Sequence, residues 1–260
     1  MDLGIAGKHA VVCGASRGIG KAAALSLAGE GARLTLVARS AERLLAAAAE
    51  IAEATGAEIE VIAADLVSPD ERRRLLAACP AADILVTHPG VPQRSLPYRS
   101  LTREDWQWWM DAHFHAAMDL IQGYVQGMVE RRFGRIVNIS VSFIKFPQAG
   151  AGHSHAARLA LAGAIAALVR EVAPFNVTIN SVLPGFIDTD ALRGALQQRA
   201  ESRGVPVEQV VAEAVRTCPA GRFAAPSEIG DLVAMLAGSQ MGYMTGQNIV
   251  CDGGVYQGLF

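Results

Sequence analysis

Short apolar runs recur along the chain, and longer amphipathic stretches separate them. The runs are rich in Val and Ile and lack a clean alternation of polar and apolar positions, which is typical of parallel strands covered on both faces of a sheet. Six buried strands are predicted in this way, at His9 to Cys13, Arg33 to Ala38, Glu58 to Ala64, Asp83 to Thr87, Arg135 to Ser140 and Val177 to Leu183.

The stretches between these strands predict helices, because Ala and Leu dominate them while Glu and Arg mark their exposed faces. Ser40 and Ser68 stand where helix N-caps belong. Strict alternation of strand and helix predicts one α/β domain over residues 1–260, with a doubly wound, Rossmann-type sheet. The helices are predicted at Ile19–Gly29, Ala41–Thr55, Pro69–Cys79, Arg103–Arg131 and His155–Ala173.

One segment after the sixth strand departs from this alternation. Residues 191–217 are more polar and contain no strand pattern, so they predict a helical excursion. Insertions after the carboxyl end of a strand tend to cover the ligand crevice of such folds. We expect a helical lid at about residues 190–217, with an ordinary pair of surface helices as the alternative.

Composition and charge exclude several classes of function. The 260 residues are 51% hydrophobic with a formal net charge of −2, so no basic excess is available to neutralise nucleic-acid phosphates or to dock on anionic membranes. No apolar window reaches the ~18 residues of a membrane span, and no secretory signal is recognisable, so we expect a cytoplasmic protein. The four cysteines predict neither a zinc site nor a disulfide framework; they are Cys13, Cys79, Cys218 and Cys251.

A glycine-rich loop is the sharpest local signal. The sequence Gly14-Ala15-Ser16-Arg17-Gly18-Ile19-Gly20 follows the first predicted strand and opens the first helix. Glycines there allow a tight turn and a close approach of the backbone to a pyrophosphate, and the helix N-terminus supplies free N–H groups. In this position the pattern predicts a dinucleotide site; a tight turn without a ligand is the alternative.

The GxxxGxG spacing and the chain length resemble the short-chain dehydrogenase/reductase family over essentially the whole chain. Further matching motifs are Asp65 after the third strand, Asn138 in the fifth, Asn180 to Gly185 with Ile187 and Thr189, Thr245 to Gln247, and Asp252 to Gly254. The resemblance implies a seven-stranded parallel sheet. It also implies that the cofactor lies against Gly14, Ser16, Arg17, Gly18, Ile19, Gly20, Arg39, Asp65, Leu66, Gly90, Arg158, Pro184, Gly185, Ile187 and Thr189.

The charge at the end of the second strand predicts which nucleotide is bound. An acidic residue there would accept hydrogen bonds from the ribose 2′-OH of NAD, but the strand ends in Ala38-Arg39-Ser40. Arg39, together with Arg17 in the glycine loop, offers two guanidinium groups to a 2′-phosphate. The sequence therefore favours NADP(H), with a solvated surface arginine as the alternative reading of each residue.

The sequence departs from the family at its four catalytic positions, which are Asn, Ser, Tyr and Lys. Alignment on Gly134 to Ser140 places His113 at the Asn, Val141 at the Ser with Ser140 and Ser142 beside it, Ser154 at the Tyr and Arg158 at the Lys. The family's Asn-Asn-Ala-Gly turn reads Thr87-His88-Pro89-Gly90. Ser154 and Arg158 are four residues apart and would share a helix face, but neither side chain is a general acid near neutral pH.

Histidines offer another proton donor, because they titrate near pH 6.5. His88, His113, His115, His153 and His155 all border the expected active site, and His113 occupies one of its positions. The alternative for His113 and His115 is that they are hydrogen-bonded helix residues. A metal site built from His113 or His115 with His153 or His155 is not predicted, since no carboxylate or cysteine supports one.

Two functions remain open at this stage. One is an NADP(H)-dependent oxidoreductase that acts on a carbonyl, alcohol or imine of a small apolar substrate, with Ser154, Arg158, His113 and Ser142 as its catalytic groups. The other is a catalytically silent NADP(H)-binding sensor or partner subunit. Small residues all round the helix that contains Ala156 to Ala164 favour close helix packing, so we expect a homodimer or homotetramer.

Overall fold

The computed structural model describes residues 2–88, 90 and 96–259. Seven strands in that part of the chain form one sheet in which every neighbouring pair is parallel, in the order β3-β2-β1-β4-β5-β6-β7. The strands are β1 His9–Cys13, β2 Arg33–Ala38, β3 Ile59–Ala63, β4 Ile84–Thr87, β5 Gly134–Ile139, β6 Val177–Pro184 and β7 Asn248–Cys251. The predicted doubly wound α/β fold is confirmed, and the predicted strand ends agree to within one residue.

Helices cover both faces of the sheet and divide the core into two layers. They are α1 Gly18–Gly29, α2 Ala41–Thr55, α3 Pro69–Ala78, α4 Arg103–Met110, α5 Ala116–Glu130, α6 Gly152–Val172, α7 Asp190–Arg203, α8 Val207–Arg216 and α9 Pro226–Ala237. One layer is built on α1 and α9 and the other on α5 and α6. Each layer buries Val, Ile, Leu and Ala side chains, which explains why the strands lack polar alternation.

The order of the strands reverses at β1. This strand pairs with β2 through Cys13 and Val37 and with β4 through Val12 and Val86, so the chain crosses over between the two halves of the sheet. In open parallel sheets a crevice forms outside the carboxyl ends of the strands at this switch point. The loops after β1 and β4 therefore border the expected ligand site.

Two of the predicted helices differ from the structure by more than one residue at a boundary. The predicted helix from Arg103 to Arg131 is divided into α4 and α5 by a π-helical turn, Asp111–His115. Helix α6 begins at Gly152 and not at His155, and it ends at Val172. No side chain caps α6, because its N-cap is Ala151; the residue pattern therefore contains no signal for its start.

The segment after β6 is helical, as predicted. Helices α7 and α8 pack on each other around a small apolar cluster of their own, formed by Leu196, Ala200, Val210 and Ala214. Thr189 caps α7 by accepting a hydrogen bond from the Leu192 N–H, and Gly204 ends that helix in the left-handed conformation. The role of these helices as a lid stays a prediction.

The four cysteines are spread over the fold. All four are unbridged; Cys13, Cys79 and Cys218 are buried and Cys251 is partly buried. In the described part of the chain, no helix combines the length and the apolar character needed to cross a membrane.

Candidate active site

The loop between β1 and α1 has the geometry that its glycines predict. Gly14 and Gly18 adopt φ values of +67° and +57°, which favour glycine. A Cβ on Gly20 would lie 2.3 Å from the Gly14 carbonyl oxygen, so the first turn of α1 can approach the loop only because residue 20 has no side chain. These positions hold the loop in a tight turn at the carboxyl end of β1.

The N-terminus of α1 is suited to bind an anion. Its N-cap, Arg17, has extended backbone and no side-chain capping bond, and the first turn contains no acidic residue. The free N–H groups and the positive end of the helix dipole therefore point at the space beside the loop. Ser16 is partly buried in the loop, and Ile19 packs against the core, which anchors the first turn of the helix.

Two exposed arginines lie near this helix end. Arg17 is in the glycine loop and Arg39 directly follows β2, where no acidic residue stands. Among the residues that the structure describes, neither arginine forms a salt bridge. Ser40 is occupied in capping α2, because it accepts a hydrogen bond from the Arg43 N–H. Both guanidinium groups therefore remain available for a ligand.

The segments at the ends of β3 and β6 contain further predicted cofactor residues. Asp65 is exposed and accepts a hydrogen bond from the Val67 N–H at 3.1 Å, whereas Leu66 is buried in the core. A Cβ on Gly185 would lie only 2.6 Å from Asp252 Cβ. The loop after β6 therefore packs closely against the end of β7. Pro184 and Ile187 are buried on either side of that contact.

Three loops meet around Gly14 and Gly18. A Cβ on Gly18 would lie 3.3 Å from Thr189 Cγ2, and a Cβ on Gly14 would lie 2.8 Å from His88 Cδ2. A Cβ on Gly90 would lie 3.8 Å from Gly14 Cα, so the loop after β4 also adjoins the glycine loop. Pro89 lies outside the described residues.

Three of the four predicted catalytic residues form one buried group. Ser154 Oγ lies 3.4 Å from His113 Nε2 and accepts a hydrogen bond of 3.3 Å from Arg158 Nε. All three side chains are at most 7% exposed. The Ser154–Arg158 contact is the i to i+4 pair that the sequence predicts for one face of α6.

The π-helical turn is the element that carries His113. It adds one residue to the turn between α4 and α5, and such turns are frequent at functional sites. Trp109, one turn earlier, stacks on His113 with a ring separation of 5.3 Å and an angle of 23°, and it also contacts His153 at 4.5 Å. Sequence reasoning missed Trp109; its spacing of four residues from His113 was the available signal.

Ser142 is placed apart from this group. It begins a short 3-10 turn after β5, is completely buried, and its Oγ has no hydrogen-bond partner among the described residues. Val141, which the sequence predicts at the family's serine position, packs with Phe143, Ile144 and Leu183 in a small apolar cluster. No hydrogen bond in the described part of the chain joins Ser142 to Ser154.

Burial and positive charge keep the histidines of the site neutral. Burial, followed by the charges of Arg158, His88 and His153, holds the pKa of His113 far below its usual value of 6.5. Burial and Arg158 lower the pKa of His88 to about 4, and burial lowers that of His155. A neutral His113 can accept or relay a hydrogen bond, but these shifts weigh against it as a general acid at neutral pH.

Arg158 remains a cation in this setting. Burial lowers the pKa of its guanidinium to about 10, which still leaves it protonated at neutral pH. The group therefore combines one fixed positive charge, one hydroxyl and neutral imidazoles. Such a set can polarise an oxygen atom by hydrogen bonding. No cluster of three or more histidine, cysteine or acidic side chains suited to a metal ion occurs within the described ranges.

Sequence comparison relates nearly the whole chain to known reductases. A family model described as enoyl-(acyl carrier protein) reductase matches residues 14–256. The 3-oxoacyl-(acyl-carrier-protein) reductase FabG of Vibrio cholerae is 34% identical over 258 residues, which cover 98% of this chain and 99% of that protein. The enzyme of the same name from Escherichia coli is 33% identical over 254 residues, or 96% of this chain and 98% of its own.

Solved structures show the same fold. The L-sorbose reductase of Gluconobacter frateurii, solved with NADPH and L-sorbose, has a TM-score of 0.93 and 30% identity, and each chain is covered completely. A 3-oxoacyl (acyl-carrier-protein) reductase from Agrobacterium tumefaciens, solved with NADP bound, has a TM-score of 0.84 and 30% identity over 97% of this chain and 95% of its own.

Proposed function

Because the chain belongs to the short-chain dehydrogenase/reductase family, whose members are oxidoreductases, we propose that it is an NADP(H)-dependent reductase with a non-standard catalytic group. Its substrate is a carbonyl or imine, or the corresponding alcohol, in a small apolar molecule. Ser154, Arg158 and His113 take the places of the usual catalytic side chains.

The contact of His88 with both halves of the site carries this proposal. Its ring lies against Gly14 of the glycine loop, as the 2.8 Å approach to a Cβ at that position shows. It also lines the same small cavity as His113, and burial followed by the charge of Arg158 lowers its pKa to about 4. A nucleotide on the glycine loop would therefore end beside the Ser154 group.

The residues present fit NADP(H). The glycine loop and the uncapped N-terminus of α1 suit a pyrophosphate, and Arg17 and Arg39 suit a 2′-phosphate. Asp65 and Leu66 would border the adenine. Residues Gly90, Pro184, Gly185, Ile187 and Thr189 would border the nicotinamide half, and Arg158 would reach its ribose. When bound, the reduced nicotinamide supplies a hydride to the substrate.

Ser154 is the proposed donor to the substrate oxygen. Its Oγ accepts from Arg158 Nε, and His113 Nε2 lies in range to donate to the same oxygen. In the tautomer that carries hydrogen on Nε2, His113 also donates to this oxygen, and the Ser154 proton is then free to point at the substrate. Charge-assisted donation from Arg158 polarises the hydroxyl and strengthens its hydrogen bond to the developing alkoxide. The alkoxide then takes its proton from water, because no group of this set is a strong acid at neutral pH. Ser142, whose hydroxyl has no partner, is a second candidate donor.

The apolar side of the pocket is formed by aromatic residues in contact with one another. Phe143 packs edge-on against Phe146 at 5.1 Å and against Phe186 at 5.9 Å, and Phe186 contacts Phe223 at 5.8 Å. Phe223 also joins the apolar cluster of α7 and α8. We propose that these helices, residues 190–217, form the lid over the substrate.

The outer face of α6 supports association of identical chains. Ala156, Leu159, Gly163, Ala166 and Ala167 are all exposed along one side of the helix, and Leu159 is 46% exposed. Small side chains permit a close approach of a second helix, and a repeated apolar stripe suits a symmetric contact. We propose a homodimer or homotetramer that uses this face. A cytoplasmic location stays a prediction.

The decisive experiment measures cofactor binding and turnover separately. Fluorescence titration with NADPH and NADH tests the nucleotide site, and cofactor oxidation against ketones, aldehydes and imines tests catalysis. Tight NADPH binding with turnover of at least one class supports the proposal. NADPH binding without turnover of any class would instead indicate a nucleotide-binding sensor or partner subunit.

A further inference from the structure

Trp109 is a buried aromatic side chain beside the proposed catalytic group. It lies in α4 and is 2% exposed, whereas Trp106 and Trp108 of the same helix are 40% and 41% exposed. Trp108 packs edge-on against it, with a ring separation of 5.0 Å and an angle of 85°. The indole of Trp109 is therefore directed into the fold and is held there by its more exposed neighbour.

This indole contacts both of the elements that carry the proposed catalytic side chains. It stacks on His113 of the π-helical turn, with ring centroids 5.3 Å apart and an angle of 23°. It also contacts the ring of His153 at 4.5 Å, and His153 directly precedes Ser154 in the first turn of α6. Trp109 is thus in contact with His113 and with the residue next to Ser154.

Other neighbours of the His113 imidazole restrict its orientation less. His113 lines a cavity of about 10 Å³ whose wall includes Ala112, Ala116 and Ala117. An alanine side chain is a single methyl group, so it makes few contacts with a ring. A flat ring stacked on the imidazole restricts its rotation more strongly, and in the described part of the chain Trp109 is the ring stacked on His113.

The orientation of the imidazole decides which of its atoms faces Ser154. Nε2 of His113 lies 3.4 Å from Ser154 Oγ, which is close to the upper limit for a hydrogen bond. A small rotation of the ring would break this contact or turn a carbon atom toward the hydroxyl. The contact with Ser154 also selects which ring nitrogen carries the hydrogen, because the two tautomers differ in the bonds that they can form.

We propose that Trp109 is a positioning residue for carbonyl reduction, which stacks on His113 and packs against His153 and so holds Nε2 of His113 toward Ser154 Oγ. This inference rests on the proposed function, in which the Ser154 hydroxyl donates to the substrate oxygen. In this role Trp109 acts through His113 and does not itself contact the reacting atoms.

The kinetic test compares the loss of the ring with its replacement by a smaller ring. Trp109→Met fills much of the same space without a ring and should lower kcat about tenfold, while KM and the NADPH dissociation constant change less than about twofold. The substrate is the carbonyl compound that the unchanged protein reduces fastest. Trp109→Phe keeps a ring and should recover most of kcat. Trp106→Met, on the exposed face of the same helix, is the matched control and should leave kcat unchanged.

A double-mutant cycle separates positioning from general packing. If Trp109 acts through His113, Trp109→Met lowers kcat no further once His113 has been replaced by Ala. Equal factors of loss in the two backgrounds would show that Trp109 only supports the packing of α4 and α6, and would overturn the inference. Because Trp109 is buried, Trp109→Leu serves as a second variant without a ring, and circular dichroism with a melting temperature shows which variants are folded.

The imidazole can also be observed without turnover. Nitrogen-15 NMR of histidine-labelled protein distinguishes a ring nitrogen that carries hydrogen from one that does not, and the spectrum of His113→Ala assigns the signals of His113. We expect two separate nitrogen signals in the unchanged protein and in Trp109→Phe. In Trp109→Met and Trp109→Leu the two signals should average, because the ring is no longer fixed. Signals that stay separate in both of these variants would overturn the inference.

The outcomes for Trp109 are distinct from those for the proposed function. If the unchanged protein binds NADPH but reduces no carbonyl or imine, the proposed reductase fails, and the NMR comparison still decides whether Trp109 fixes the imidazole. If carbonyl reduction is observed and Trp109→Met and Trp109→Leu retain full kcat, the reductase stands and the positioning role of Trp109 is overturned.

Discussion

Arg158 Nε donates a 3.3 Å hydrogen bond to Ser154 Oγ one helical turn earlier on α6. The guanidinium keeps its proton near neutral pH, because burial lowers its pKa only to about 10. The pair can polarise an oxygen atom, but it cannot deliver a proton in the way that a titrating acid does.

Turnover should consequently depend little on pH across the neutral range. His88 has a pKa of about 4 and Arg158 a pKa of about 10, so neither group changes charge between about pH 5 and 9. We expect kcat for carbonyl reduction to be flat over that interval, measured by NADPH oxidation in buffers of constant ionic strength. A bell-shaped profile centred near neutral pH would show that a titrating side chain outside this group donates the proton.

Removal of the Ser154 hydroxyl should impair catalysis more than binding. Ser154→Ala is expected to lower kcat about 10²- to 10³-fold with little change in KM, because the hydroxyl acts on charge that develops in the transition state. Ser154→Thr keeps the hydroxyl and is the matched control. His113→Ala should produce a smaller loss. Unchanged kcat in both alanine variants would place the donor elsewhere.

Restoring the usual family residues tests the alignment itself. The triple variant Val141→Ser, Ser154→Tyr and Arg158→Lys places a phenol and an amine on the same face of α6. General acid catalysis contributes roughly 10²- to 10⁴-fold, so we expect a gain in the reduction of simple ketones, measured by NADPH oxidation. Because Ser154 is only 4% exposed, the melting temperature is measured alongside to detect overpacking.

The preference between nucleotides should depend on Arg39. Its replacement by Asp removes a charge-assisted phosphate contact and offers an acceptor to a ribose hydroxyl, so NADPH affinity should fall about ten- to a hundredfold relative to NADH. Arg43→Asp, an exposed position one turn into α2, controls for net charge. Equal affinities for NADPH and NADH in the unchanged protein would contradict the assignment of the phosphate site.

Stability should fall as the pH drops below 6.5. His88 and His113 have folded-state pKa values lowered by burial foremost and by Arg158 next, so the unfolded chain binds more protons than the folded one in that range. Each such histidine contributes a slope of about 1.4 kcal/mol per pH unit between pH 6.5 and its folded pKa. Urea unfolding at several pH values measures this slope, and His88→Gln should reduce it.

The association surface can be tested with two substitutions of the same kind. Leu159→Glu places a charge in the exposed apolar stripe of α6 and should convert the oligomer to monomers in light scattering. Leu45→Glu, on α2 at a position that is 56% exposed, should leave the molecular mass unchanged. A monomeric mass for the unmodified protein at micromolar concentration would remove the basis for the proposed dimer or tetramer.

The residue pattern predicts the structural features that depend on short segments of the sequence. Strands β1 to β6 and the glycine loop follow from apolar runs and from the conformational needs of Gly14 and Gly18, which short segments encode. The π-helical turn at residues 111–115 is different, since a single extra residue in a turn leaves the helical periodicity on both sides nearly unchanged. The start of α6 cannot be predicted from the sequence either, because no capping side chain marks it.

The chemistry of the site depends on packing between distant segments. The sequence predicts His113 and Ser154 as site residues, but it does not predict that Trp109 stacks on the imidazole. It also gives no measure of the burial that, with Arg158, lowers the pKa of His113. The lowered pKa contradicts the expectation that His113 donates a proton, because a solvated histidine is half protonated near pH 6.5.

Helices α7 and α8 enclose an apolar cluster that is separate from both layers of the main core. Substitutions within that cluster can therefore accumulate without disturbing the residues that support the nucleotide loop. Over evolutionary time helices α7 and α8 can therefore diverge at a different rate from the sheet and its glycines. A chimaera that exchanges residues 190–217 with those of a related reductase should accordingly fold and bind the same nucleotide, and differ in the molecules it accepts.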